Sequence, residues 1–212
     1  MADASFTVNE SEIVVQVDAL YRRLSKAAFG AAIALAFTTS APRVAAFISK
    51  NYLSGQSLRR RTGTLARSVE GRYEMSNGMP RIRVGVFRGP ARVYAGIHER
   101  GGTIYPRRAK ALAVPVNNAV TAAGVSRFDG PRSYPGKLSF VPISRGNLVG
   151  LLVDDAERNR QDGEKMKAAY LLLRKVRIKP RPFLRPGVMQ YLPRLVEEVS
   201  DKIRRALDAA RS

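Results

Sequence analysis

Read as hydrophobic and polar positions, the chain changes period several times. Ile13-Val-Val-Gln-Val17 is a short apolar run that predicts a strand. Asp18 follows as a candidate N-cap, and Leu20, Leu24, Ala28, Ala31 and Leu35 recur every three or four residues, the spacing of one helical stripe. Thr38-Thr-Ser-Ala-Pro42 predicts an interruption. Ser40 then caps a second helix with Pro42 in its first turn, with Val44, Phe47, Ile48 and Tyr52 as its inner face and Gly55 at its end.

Beyond a polar, basic loop at Ser57–Thr64 the period becomes two. Ser68–Met75 and Arg81–Phe87 predict a hairpin around Ser76-Asn-Gly78. Ile82, Val84 and Val86 alternate with Arg81, Arg83 and Gly85, so the solvent face carries cations. Leu112–Val116, Leu138–Ile143, Leu148–Val153 and Ala168–Ile178 are further strands. Between them, 117–136 is loop-like, and 154–166 is highly charged and expected to be mobile. Gly187–Ala210 holds helical spacing through Val188, Tyr191, Leu192, Leu195, Val199, Ile203 and Leu207; Pro193 either kinks that helix or marks its start. The order predicts an α+β fold: an antiparallel sheet packed against two N-terminal helices and a C-terminal amphipathic helix, with long basic loops. The length of 212 residues suits one domain, 1–212, with an irregular loop and hairpin insertion at 117–167.

Charge changes the picture most. Lys and Arg number 37 against 17 acids, a net +20, which favours nucleic acid, anionic lipid or acidic protein surfaces as partners. The excess is regional: residues 57–110 hold 13 cations and 3 acids, and 157–212 hold 15 and 7. The apolar run Ala27–Phe37 is too short to span a bilayer; a buried alanine-rich helix is expected there, and no membrane partner. With no cysteine and one histidine, thiol chemistry is excluded and a zinc site is not expected.

Candidate chemistry concentrates in Tyr94–Pro115. His98-Glu99 has the composition of a general base with an orienting carboxylate, but neighbours on a strand face opposite ways and no nucleophile motif accompanies them. Gly101-Gly102 lacks the rest of a phosphate loop and reads as a turn needing positive φ. Arg59-Arg60-Arg61, Arg107-Arg108 with Lys110, and the acid-free Arg174–Arg185 segment can each meet phosphates, with Tyr105, Tyr170 and Phe183 near them for stacking. The same clusters also suit docking on acidic subunits. Pro180-Arg-Pro-Phe-Leu-Arg-Pro186 is a stiff segment delivering Phe183 and Leu184 to a fixed place, either into the core or into an inter-subunit contact.

Three blocks in order resemble tailed-phage virion morphogenesis proteins, the group of tail-completion and neck proteins. They are Arg61-Thr-Gly-Thr-Leu-Ala-Arg-Ser68, then Tyr94-Ala-Gly-Ile-His-Glu-Arg-Gly-Gly102 with Ala109-Lys-Ala-Leu-Ala-Val-Pro115, then Val176-Arg-Ile-Lys-Pro-Arg-Pro-Phe-Leu-Arg-Pro186. The resemblance implies a non-enzymatic virion subunit without cofactor. It would assemble in the host cytoplasm, form a ring, commonly six-fold, and meet tail-tube and connector or neck proteins. Contact with phage DNA in the channel is possible on this reading, with most of the charge assigned to subunit docking. The assembly or DNA-facing candidates are Arg59, Arg60, Arg61, Tyr94, His98, Glu99, Arg107, Arg108, Lys110, Arg181, Phe183 and Leu184. The alternative is a basic nucleic-acid-binding protein without enzymatic activity.

Overall fold

A computed structural model of the chain describes residues 4–9, 12–17, 27–77, 79–158 and 167–209. The elements in order are β1 (Ala4–Asn9), β2 (Glu12–Val17), α1 (Ala27–Tyr52), α2 (Thr64–Ser68), β3 (Glu70–Ser76), β4 (Met79–Gly85), α3 (Ala91–Arg100), β5 (Gly102–Ile104), β6 (Leu112–Pro115), β7 (Leu138–Arg145), β8 (Leu148–Asp154), α4 (Asp155–Arg158), β9 (Ala168–Leu173), β10 (Val176–Ile178) and α5 (Leu184–Ala209). The class is mixed α+β with antiparallel sheets, an N-terminal helix and a C-terminal helix. The expected caps and stripe at Asp18, Leu20 and Leu24, the core of the charged 154–166 segment, and Ala210 lie outside the described residues.

The chain forms two compact units, Met1–Gly101 with Lys179–Ser212, and Gly102–Ile178. The physical reason is that each unit buries a cluster of its own.

In the first unit the strands run in the order β1-β2-β4-β3, all antiparallel. The period-2 pattern of β4 works as expected: Ile82, Val84 and Val86 are fully buried. The intervening cations are not bare. Arg83 pairs with Glu74 at 3.0 Å, Arg72 and Arg88 both bind Glu70, and the Arg72 guanidinium lies 4.4 Å over the Phe87 ring. Two carboxylates on β3 therefore offset the hairpin's charge, and Glu70 is held below the usual carboxylate range, chiefly by its Arg72 hydrogen bond.

The two expected N-terminal helices are one. Thr38–Pro42 does not break α1, and Pro42 sits inside it. Phe37, Ala41, Val44, Ala45 and Ile48 are buried on both sides of the proline, against the sheet and α5. The polar residues there are also occupied: Thr39 donates to the Leu35 carbonyl at 2.8 Å, while Lys202 of α5 donates to Thr39 and Ser40 at 2.6 and 3.0 Å. Tertiary packing outweighs one lost backbone hydrogen bond. The merged helix also overturns the length argument from Ala27–Phe37, because Gly30–Tyr52 is long and apolar enough to cross a membrane by length and composition; the burial of its Ile33, Phe37, Val44 and Ile48 is that of a core helix. Strand β3 crosses α1 so closely that a Cβ on Gly71 would stand 1.9 Å from the Ala41 carbonyl oxygen.

Helix α5 begins at Leu184 and passes through Pro193. Val188, Tyr191, Leu195, Val199 and Ile203 form its buried stripe, as their spacing predicts.

In the second unit the sheet order is β6-β9-β8-β7, and β5 pairs with β10 in a separate ribbon. The single strand expected over Ala168–Ile178 is two. The Asn147 side chain binds both backbone groups of Lys175, at 2.7 and 3.1 Å, which takes Arg174 and Lys175 out of the ladder. Ala119, Ala169 and Tyr170 form the buried centre, with Phe128 and Tyr134 packed on it.

Candidate functional site

The three sequence blocks carry the functional question, and the parts of them in the first unit, residues 61–68, 94–101 and 179–186, meet there. Block one supplies α2, block two supplies α3, and the two helices touch. Tyr94–Arg100 is helical rather than strand-like, so His98 and Glu99 lie about 100° apart around a helix axis. Gly101 ends that helix with φ 73°, the positive value expected of a turn, and Gly102, with φ 157°, opens β5.

Glu99 decides the local architecture. It is 7% exposed, and its carboxylate accepts from three successive backbone N–H groups: Phe183 at 2.8 Å, Leu184 at 3.0 Å and Arg185 at 2.9 Å. These donors open α5 and have no partner within the helix. A carboxylate there also meets the positive end of the helix dipole. One residue earlier, the His98 carbonyl accepts from the Arg181 N–H at 2.7 Å. Two adjacent residues of α3 thus pin the proline-rich connector.

That geometry corrects three candidates. Glu99 is a buried cap and not an outward-facing contact. Phe183 and Leu184 are 0% and 1% exposed and belong to the core; of the two readings open for the connector, the core anchor holds. The stiff Pro180–Pro186 path delivers them inward because the Glu99 carboxylate waits at the helix start.

His98 does not have Glu99 as its orienting carboxylate, since that group is fully engaged. Its ring meets Tyr94 edge-on at 5.8 Å between centroids, and its Nδ1 is buried with no hydrogen-bond partner. Burial, then the nearby charges of Arg181 and Arg61, hold the imidazole below its ordinary pKa. The histidine is a half-buried ring beside cations.

Those cations form the exposed part of the site. Arg59, Arg60, Arg61 and Arg181 are all exposed. Arg67 joins them, a residue the sequence reading passed over. The point where a Gly63 Cβ would stand is 2.8 Å from Arg60 Nε, 2.8 Å from an Arg67 terminal nitrogen and 3.0 Å from an Arg60 terminal nitrogen. Gly63 has φ 75° and no side chain, so both guanidinium groups close over it. Arg67 is also anchored by a 3.1 Å hydrogen bond to the Thr62 carbonyl. The Arg-x-Thr-Gly-x-x-x-Arg spacing, which puts Arg67 on the helix following the glycine, was the available signal.

Arg107, Arg108 and Lys110 belong to the second unit. They lie exposed in the bend between β5 and β6, and Tyr105 beside them is 61% exposed. This segment has the outward-facing character expected of it.

Comparison of the chain with protein-family models, with curated proteins and with solved structures returned no match.

Proposed function

We propose that this chain is a non-enzymatic structural subunit of a tailed-phage virion, a tail-completion or neck protein at the head–tail junction that works as a ring-forming, commonly six-fold, subunit. The observation that carries the reading is the joining of the second and third resemblance blocks through Glu99. The glutamate of the second block caps the helix that the arginine-proline-phenylalanine-leucine block begins, 84 residues on. A motif set whose acidic residue and aromatic both serve the fold fits a family defined by its shape. On this reading the exposed loops, Ser57–Gly63 and Tyr105–Lys110, meet neighbouring subunits or the tail-tube and connector proteins, and His98 has no catalytic duty.

Negative-stain imaging of the purified chain, alone and mixed with tails that lack it, tests the proposal. Rings, or tails closed at one end by added density, are expected. A monomer at all salt concentrations that never associates with tails overturns it.

A further inference from the structure

We propose that Arg60 and Arg67 form a clamp for a backbone phosphate of nucleic acid, with Arg61 and Arg181 continuing the cationic track. The proposal goes beyond the assembly role and does not rest on it.

Three guanidinium nitrogens from two arginines stand within 3.0 Å of one point over Gly63. The two that are each 2.8 Å from that point are at most 5.6 Å apart. Like charges this close repel, and an anion shared between them relieves the repulsion. Among the described residues no carboxylate forms an ion pair with Arg60 or Arg67; Glu70 is taken by Arg72 and Arg88, and Glu99 by three backbone N–H groups. Arg67 keeps its orientation through Thr62 before any ligand arrives. Planar forks of this kind match the oxygens of a phosphate, and charge-assisted hydrogen bonds to them are the stronger sort.

The surroundings choose the class of partner. Leu53, Leu58 and Val69 face inward, and the surface beside the clamp presents Arg59, Arg61 and Thr62. A protein partner usually gains its affinity from buried aromatic or aliphatic anchors, and Arg59, Arg61 and Thr62 offer none. A sugar-phosphate backbone needs only regularly placed cations, and each neutralised phosphate releases counterions. The net charge of +20 supplies the long-range attraction that brings the polyanion in.

The experiment titrates the full chain against a short labelled DNA duplex of mixed sequence over a range of KCl concentrations. The variants are R60Q/R67Q, R60K/R67K, and the equally neutralising control R204Q/R205Q. The control lies about 30 Å along α5 from Leu184, from 20 residues at 1.5 Å each. For R60Q/R67Q the slope of log K against log salt is expected to fall by about 0.9, the value for one lost phosphate contact. R60K/R67K is expected to keep the slope and bind more weakly, since the charge stays and the fork goes. The proposal is overturned if R60Q/R67Q changes the slope no more than the control does. It is also overturned if polyglutamate, at equal charge concentration, displaces the duplex through the same two arginines as well as unlabelled DNA does.

Discussion

Glu99 and Leu184 stand 85 residues apart in sequence, and the carboxylate of one caps the backbone N–H of the other at 3.0 Å. With Phe183 and Arg185 donating to the same group, a single side chain sets where the last helix begins. Glu99→Ala leaves buried donors without an acceptor, at a cost of about 3 kcal/mol or more. Glu99→Gln keeps one neutral oxygen and is expected to lose less. Denaturant midpoints of the two variants check this; a loss under about 0.5 kcal/mol for Glu99→Ala removes the capping role.

Gly71 and Gly187 both face α1 without a side chain, and their substitutions differ predictably. A Cβ at 71 meets backbone, the Ala41 carbonyl oxygen at 1.9 Å, which cannot yield without moving α1. A Cβ at 187 meets the Ile48 side chain at 2.7 Å and the Tyr52 ring at 3.3 Å, which can shift. Gly187→Ala is expected to cost about 1–3 kcal/mol. Gly71→Ala is expected to cost more, to the point of insoluble expression. Thermal unfolding of the two side by side decides; equal losses contradict the assignment.

His98 is the only histidine, so its titration is read from one imidazole signal. Its folded pKa is below the ordinary value of 6.5 because of burial and then the Arg181 and Arg61 charges. The unfolded chain therefore binds the proton first as pH falls. Stability contributed by the neutral ring is full above 6.5 and declines as pH drops from there toward the folded value. Nuclear magnetic resonance is expected to place the midpoint below 6.5, with Arg181→Gln and Arg61→Gln each raising it. A midpoint at or above 6.5 contradicts the half-buried, cation-flanked ring.

Phe183 and Arg181 sit two residues apart in one motif and do different work. Phe183→Ala removes a fully buried ring and is expected to cost about 3–5 kcal/mol. Arg181→Ala changes an exposed side chain whose backbone N–H makes the structural hydrogen bond, so stability should hold within about 0.5 kcal/mol. Urea melts of both variants test the split; a large loss for Arg181→Ala shows the guanidinium to be structural.

The elements were legible where one physical signal dominated. Alternation marked β4, and three-and-four spacing marked α5 from Val188 to Ile203. They were misread where a contact with a distant segment overrode a local signal. Thr38–Pro42 looks like a helix break until Lys202 occupies the Thr39 and Ser40 hydroxyls and the sheet covers Phe37 and Ala41. Ala168–Ile178 looks like one strand until Asn147 binds Lys175.

The site divides in the same way. Its exposed arginines at 59–61 and 107–108 and the glycine turn at 101–102 are visible as composition, because charge and positive φ are properties of single residues. That Glu99 faces inward, that Phe183 is core, and that Arg67 closes over Gly63 with Arg60 depend on where the chain returns. The sequence by itself determined the α+β class, the strongly basic surface and the stiff approach to the last helix, all of which follow from local pattern and summed charge. Only the tertiary structure decided which acid is a cap and which cations converge, because a carboxylate 84 residues from its donors has no short-range signature.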